Sequence, residues 1–166
     1  MVPITTKLSI FAVEKFIILN HMKRIFKAMM AAAAVVVMTM ATACSGNAVE
    51  EQVKAHNAKC PVEESANLKL VSVSIQNGKD VVYRYELNES DPAVQSVNNY
   101  KANAENISLN TLNQLKANND PSVTGFLQAC NDGGYTIVYR YVGTISGDSL
   151  DVVVTPSQVL NDSIAK

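Results

Sequence analysis

The residues best suited to nucleophilic or metal chemistry are few in this chain. They are three cysteines, Cys44, Cys60 and Cys130, and the one histidine that follows residue 43, His56. A Ser-His-Asp triad is disfavoured because His56 lies far in sequence from any candidate nucleophile. A zinc site needs three or four Cys and His ligands, which this set can hardly assemble. We therefore predict no catalytic residue, no metal and no cofactor.

Two pairs of adjacent carboxylates, Glu50-Glu51 and Glu63-Glu64, are the remaining candidates for acid/base chemistry. Neighbouring acids in a predicted helix or loop usually form a solvated face. The sequence also lacks tryptophan, a Gly-rich phosphate loop and a nucleophile-elbow motif. We therefore do not expect an enzyme. The alternative interpretation is a hydrolase that acts on envelope polymers.

The first quarter of the chain differs in composition from the rest. Residues 22–27 are a short basic stretch, and residues 28–41 are uncharged and rich in Ala, Val, Met and Thr. These are the n-region and h-region of a signal peptide. The apolar run of about 15 residues is shorter than the roughly 20 that a helix needs to cross a bilayer, which disfavours a transmembrane anchor.

Small residues end this segment, which reads Ala41-Thr42-Ala43-Cys44-Ser45-Gly46. The ending resembles the lipobox of bacterial lipoproteins, although Ala41 stands where that motif usually has leucine. The resemblance implies cleavage before Cys44 and lipidation of its thiol, and hence a membrane anchor. Ordinary signal cleavage would instead leave Cys44 as a plain thiol.

The chain divides into a signal peptide over residues 1–43, a lipidated tether over 44–49 and a single domain over 50–166. Because Met22 begins a complete signal peptide, we predict that translation starts there; the alternative is an unusually long n-region. Residues 44–166 carry nine basic side chains and fourteen acidic ones, a net charge of −5. Scattered basic residues in an acidic domain exclude nucleic acid as an expected partner.

With Cys44 lipidated, two cysteines remain for a compartment that permits disulfides. A bond between Cys60 and Cys130 would close a loop of about 70 residues and stabilise the fold by roughly 4 kcal/mol in the chain-entropy model. The alternative is two buried thiols. We predict the disulfide.

Helix signals occur along the chain. The pattern predicts a helix over residues 50–59, and a long one over 92–116, where Asp91 is the N-cap and Pro92 the first helical residue. Asp120-Pro121 repeats this start signal for a short helix that runs to Cys130. Residues 156–165 are expected to form a short terminal helix.

Two hairpins are predicted, over residues 68–87 and 135–155. In the first, a three-residue loop over 76–78 with a left-handed Gly78 pairs Val73 with Val81 and keeps the apolar residues on one face.

In the second hairpin, a type II′ turn at Gly147-Asp148 pairs Ile145 with Leu150 and Tyr141 with Val154. The expected fold is α+β, with a four-stranded antiparallel sheet whose tyrosine-bearing face is covered by the 92–116 helix.

A repeated motif links the hairpins, since Val-Tyr-Arg-Tyr occurs at residues 82–85 and again at 138–141. Alternation along a strand puts the tyrosines on one face and the arginine on the other. In the simpler interpretation the arginines are solvated or paired across strands. In the functional one, Arg84 and Arg140 lie on adjacent strands and form a shared anion-binding or protein-binding patch on the open sheet face.

This order of elements and the duplicated motif resemble small exported bacterial lipoproteins of an uncharacterised family, and the resemblance implies no activity. We expect a non-catalytic binding module of the cell envelope, with an envelope protein or a wall component as its partner. Ser45, which follows the lipidated cysteine, favours the outer membrane, with the domain in the periplasm or at the cell surface.

Overall fold

Five helices and five strands are built from residues 45–161, the range that the computed structural model describes. The helices are α1 (Ser45–Asn57), α2 (Val97–Lys101), α3 (Ala104–Ala117), α4 (Pro121–Gly133) and α5 (Pro156–Leu160). The strands are β1 (Val62–Ser65), β2 (Leu68–Gln76), β3 (Asp80–Leu87), β4 (Thr136–Gly143) and β5 (Ser149–Val154). The predicted signal peptide, the start at Met22 and the lipidation of Cys44 concern residues outside this range. Within it, no helix is long and apolar enough to cross a bilayer.

The strands form one mixed sheet in the order β1-β2-β3-β4-β5. Strands β3 and β4 run parallel, and the other neighbours are antiparallel. The α+β class was predicted correctly, whereas the four-stranded antiparallel sheet was wrong. The two hairpins are joined by a long connection through α2, α3 and α4, and such a crossover brings β4 beside β3 in the same direction.

Parallel pairing aligns the two copies of the repeat residue by residue. Tyr83 lies opposite Tyr139, Arg84 opposite Arg140, and Tyr85 opposite Tyr141. Side chains that are opposite each other on neighbouring strands lie on the same face of a sheet. The four tyrosines therefore share one face, and the two arginines share the other.

The first hairpin has a three-residue loop with a left-handed Gly78 (φ 79°), as predicted, but the loop lies one residue further along, at 77–79. Asn77 is also left-handed (φ 49°), a conformation that asparagine tolerates better than most residues. Val73 consequently pairs with Tyr83 and not with Val81. The error in register is an even number of residues, so the predicted faces are preserved here.

A bulge at Val71 interrupts β2 between Leu70 and Ser72. A bulge adds one residue to one strand and changes which residues face inward. Leu68 and Leu70 point into the core before it, and Val73 does so after it. This corrects the expectation that Val71 belongs to the buried face.

The second hairpin is connected by five residues, 144–148, and not by a two-residue turn. Tyr141 pairs with Leu150, and Ile137 pairs with Val154, four residues from the predicted register. Ile145 is therefore 69% exposed, in the loop and not on the buried face. The loop is held by the carboxylate of Glu89, which accepts hydrogen bonds from the amides of Ile145 (3.0 Å) and Ser146 (2.7 Å).

The predicted helix over 92–116 is two helices, α2 and α3, preceded by a turn. Asp91 makes that turn, because its side chain accepts from the amide of Ala93 (2.8 Å) and its carbonyl from that of Val94 (2.9 Å). Asp120 does act as the predicted N-cap of α4, accepting from the amide of Ser122 at 2.8 Å. The terminal helix starts at Pro156 as expected.

The predicted tether over residues 44–49 is helical from Ser45 onward, as the first part of α1. Val49 and Val53 on this helix are buried in the core. Helix α1 packs on β2 and α4, while α2 and α3 pack on β5. The inner sheet face is therefore covered by helices from several parts of the chain and not by one long helix.

Candidate functional site

The outer face of the sheet carries a row of polar side chains across four strands. Ser72 lies opposite Arg84, Arg84 opposite Arg140, and Arg140 opposite Asp151. We call these four residues the arginine row. The structure thus brings the two candidate binding residues, Arg84 and Arg140, side by side on adjacent strands.

Arg140 is held by hydrogen bonds along most of its guanidinium group. Its Nε and Nη2 atoms donate to the two carboxylate oxygens of Asp151 at 2.8 and 2.7 Å, and Nη1 donates to Oε1 of Gln76 at 3.3 Å. The hydrogen bonds that Arg140 donates to Asp151 raise the pKa of Arg140 above its ordinary value. A bidentate pair fixes the guanidinium plane, so Arg140 is a positioned group and not a mobile cation.

Arg84 is paired more loosely, with its Nη1 3.4 Å from Oε1 of Glu86. On the same face, Lys69 pairs with Glu63 at 3.0 Å. Each basic group of the arginine row and its surroundings thus has an acidic neighbour. This balance of charge disfavours the anion-binding version of the predicted patch, because an incoming anion would have to displace a carboxylate.

An apolar row runs beside the arginine row, two residues along each strand. It joins Val82, Val138 and Val153 across three neighbouring strands. Val82 and Val138 are buried, although they lie outside the main core cluster, and Val153 on the edge strand is 54% exposed. We call these three residues the valine row. Val153 is therefore the member of the valine row that is open to contact, with the paired charges of the arginine row beside it.

The inner face carries the four tyrosines of the repeat as two stacked pairs. The rings of Tyr83 and Tyr139 are 5.6 Å apart, and those of Tyr85 and Tyr141 are 5.3 Å apart. Burial raises the pKa of all four hydroxyls above the ordinary value, so they stay protonated at neutral pH. These tyrosines build the core and are not presented to a ligand.

His56 belongs to this buried region and not to a catalytic arrangement. Its Nδ1 lies 3.3 Å from the hydroxyl of Tyr83, and its ring also contacts Phe126. Burial and then the charge of Lys59 lower the pKa of His56, which keeps the ring neutral near pH 7.

The disulfide predicted between Cys60 and Cys130 is not formed in the structure, in which both are free thiols. The Cys60 thiol is directed to the carbonyl of His56, at 3.5 Å. Cys130 is fully buried on α4, and burial raises its pKa to about 12. Burial and the nearby Glu64 also raise the pKa of Cys60.

In the reduced protein, we expect iodoacetamide to modify Cys60 faster than Cys130 by roughly tenfold or more, because the thiolate reacts and only Cys60 is partly exposed. Mass spectrometry of timed samples measures both rates, and equal rates would contradict the burial of Cys130. Alkylation in denaturant without reductant tests the disulfide itself, which stays a prediction. A pair that resists labelling until reductant is added would establish that bond.

The paired carboxylates do not converge on a site. Glu50 and Glu51 are exposed on α1, and Glu63 is occupied by Lys69. Glu64 points to the other side of β1, where burial raises its pKa and its buried Oε1 has no hydrogen-bond partner among the described residues. Over residues 45–161, no group of three or more Cys, His, Asp or Glu side chains is placed to hold a metal ion.

Sequence reasoning missed Glu89, which links three parts of the fold. Besides the amides of Ile145 and Ser146, its carboxylate accepts from the Val97 amide at the start of α2 (2.9 Å) and from the Ser146 hydroxyl (3.0 Å). These bonds lower the pKa of Glu89 to about 2. A single glutamate in a loop carries no sequence signal for such a role, because its donors are distant along the chain.

Comparison with known proteins shows that another protein of known structure has a similar fold. No protein-family model and no characterised sequence matches the chain. The structure is similar to a Pseudomonas aeruginosa protein described as a candidate secreted protein, with a TM-score of 0.54 and 10% identity over 69% of this chain and 92% of that one. It is also similar to EpsS, the pilotin of the Vibrio vulnificus type 2 secretion system, with a TM-score of 0.46 and 14% identity over 69% and 91%. At this level of identity, the first of these similarities shows that the fold has been built from a very different sequence.

Proposed function

We propose that this protein is a non-catalytic binding module of the cell envelope, anchored through lipid on Cys44, which recognises an envelope protein with the outer face of its sheet. The observation that carries the proposal is the arginine row beside the valine row. It combines an exposed apolar side chain, Val153, with a guanidinium group held in a fixed position, that of Arg140. Arginine at a fixed position beside apolar surface is a common feature of protein interfaces.

A protein fits this surface better than a polyanion does. Arg140 already binds Asp151 through two hydrogen bonds, and Arg84 is close to Glu86. Residues 44–166 carry a net charge of −5, which repels anionic polymers at long range. A protein partner can instead contact the exposed Val153 and exchange hydrogen bonds with the paired charges beside it.

We expect partner capture to depend on Val153. The test is cross-linking of the tagged, full-length lipoprotein in its native membrane, followed by mass spectrometry of the proteins that co-purify. A Val153→Asp substitution should lower recovery of the partner at least about tenfold, because it places a charge in an apolar contact. Leu109→Asp is the matched control, since Leu109 is similarly exposed (51%) but lies on α3 in the helical layer.

The double variant Arg84→Ala/Arg140→Ala tests the polar half of the same surface. Exposed ion pairs contribute at most about 1 kcal/mol to folding, so this variant should keep its circular dichroism spectrum and lose the partner. Retention of the partner by both Val153→Asp and the double variant would contradict the proposed surface.

A further inference from the structure

One edge of the sheet is only half covered by its edge strand. Strand β1 pairs with the start of β2, from Leu68 opposite Ser65 to Leu70 opposite Val62. Beyond Leu70, no strand built from residues 45–161 lies on this side of β2. The second half of β2, residues 71–76, is therefore an open sheet edge.

The pairing on the other side of β2 shows which main-chain groups are available at this edge. The amide of Thr136 donates to the carbonyl of Lys79, so the main-chain groups of Lys79 point toward β4. Because this direction alternates along a strand, odd-numbered residues of β3 bond to β4 and even-numbered residues bond to β2. The bonded pairs between β2 and β3 therefore include Ser74 with Val82. By alternation, Val73 and Ile75 direct their N–H and C=O groups away from β3, toward the open edge.

One of these outward-facing main-chain groups, the Val73 amide, already forms a hydrogen bond with a side chain. The Val73 amide donates to Oδ1 of Asn57, at 3.0 Å. Asn57 is the last residue of α1 and is exposed. Its amide oxygen thus occupies the position that the carbonyl of a neighbouring strand would take. Within residues 45–161, no strand pairs with the outward-facing main-chain groups of Val73 and Ile75.

Helix α1 forms a second wall beside this edge and leaves an open groove of about 340 Å³. The lining residues are Glu50, Val53, Lys54 and Asn57 on α1 and Val73, Ser74 and Ile75 on β2. The groove therefore combines unused main-chain groups on one wall with apolar and charged side chains on the other.

We propose that this groove binds an extended segment of a partner protein by β-strand addition, in which main-chain hydrogen bonds extend the sheet beyond β2. The site is separate from the outer face described above. The segment that fits is about four to six residues long, because β1 closes one end at Leu70 and β2 ends at Gln76. Every second side chain lies next to Ile75, the half-buried apolar residue of the groove, and is apolar.

The charge of the protein favours some partner segments over others. Glu50 and Lys54 balance each other at the groove itself, whereas the net charge of −5 on residues 44–166 disfavours an acidic segment and attracts a basic one. The same net charge opposes pairing with a second copy of this chain, which is the usual hazard of an open sheet edge. The occupant is therefore a neutral to basic strand of a different protein.

Random heptapeptides displayed on phage and selected on the purified, full-length lipoprotein are a suitable probe. We expect selected sequences to be neutral or basic and to repeat apolar residues at every second position. Synthetic copies N-methylated at one position at a time should lose affinity at least about tenfold at alternate positions, because only alternate amides bond to the edge. Failure to select peptides, a helical three- or four-residue spacing, or uniform tolerance of N-methylation would overturn the proposal.

The variant Ile75→Pro removes one outward-facing donor and should weaken peptide binding at least about tenfold, while Ile75→Val keeps the donor and the affinity. Proline is accepted at edge positions whose N–H faces away from the sheet.

Hydrogen exchange at the Ile75 amide gives a second test in the unmodified protein, where bound peptide should slow the exchange at least about tenfold. Unchanged exchange, or sedimentation that shows a dimer formed through this edge, would overturn the proposal. Arg84→Ala/Arg140→Ala should bind the peptides normally, which separates this site from the outer face.

Discussion

A Tyr85→Ala variant should lose about 3–5 kcal/mol of its free energy of unfolding, a cost seen when a large aromatic ring is removed from a core. Tyr85 is buried and stacks on Tyr141 with the ring planes 20° apart. Its loss leaves a cavity beside the remaining ring at the centre of the sheet. Domains of this size are stable by about 5–15 kcal/mol in total, so the variant should unfold at a much lower urea concentration.

Tyr85→Phe is the matched control, because it keeps the stacked ring and removes only the hydroxyl. We expect it to cost less than about 1.5 kcal/mol. A double-mutant cycle with Tyr141→Ala should show a coupling of about 0.5–1.5 kcal/mol between the rings. Urea unfolding followed by circular dichroism measures these quantities. Equal costs for the Ala and Phe variants would show that ring packing does not hold the two strands together.

The sequence repeat predicted which side chains share a face, but not how the repeats pair. Alternation along a strand is a local property, so placing Tyr83 and Tyr85 opposite to Arg84 needed only the order of residues. Parallel pairing of Arg84 with Arg140 depends on the path of the chain between them. That path crosses three helices, and no local pattern states where it returns.

The two Asp-Pro signals make the same local hydrogen bond but lead to different structures. At Asp120 the carboxylate accepts from the Ser122 amide and caps α4, as the sequence pattern predicts. At Asp91 one carboxylate oxygen accepts from the Ala93 amide in the same way, and the other accepts from the side chain of Asn67, at 2.8 Å. A turn follows Asp91, and the helix begins only at Val97. The local pattern therefore predicts the bond made by the aspartate but not whether a helix continues from it.

The candidate binding surfaces differ in the same way. The arginine row follows from alternation and from the repeat, and its two arginines were identified from the sequence. The groove beside β2 was missed, because it depends on where β1 stops and on the Asn57 side chain at the end of α1. Neither feature produces a residue pattern that can be recognised in the sequence.

A Gly143→Ala variant should unfold at a lower urea concentration than the unmodified protein, because the added methyl group displaces the Glu89 carboxylate. A methyl group at this position would lie 2.4 Å from the carboxyl carbon of Glu89, which is too close for both to remain in place. Gly143 does not have a positive φ, so the added methyl acts through space and not through backbone strain. The Glu89 carboxylate must then leave the amides of Val97, Ile145 and Ser146.

The effect should depend on the Glu89 side chain and on pH. In a Glu89→Ala background, Gly143→Ala should be nearly neutral, because the colliding carboxylate is gone. The pKa of Glu89 is lowered from 4.5 to about 2 in the folded protein, so its stabilising effect is present above pH 4.5 and is lost as pH falls toward 2. Stability of the unmodified protein should therefore fall more steeply over this range than that of Gly143→Ala. Equal costs in both backgrounds would show that Glu89 does not hold the β4–β5 loop.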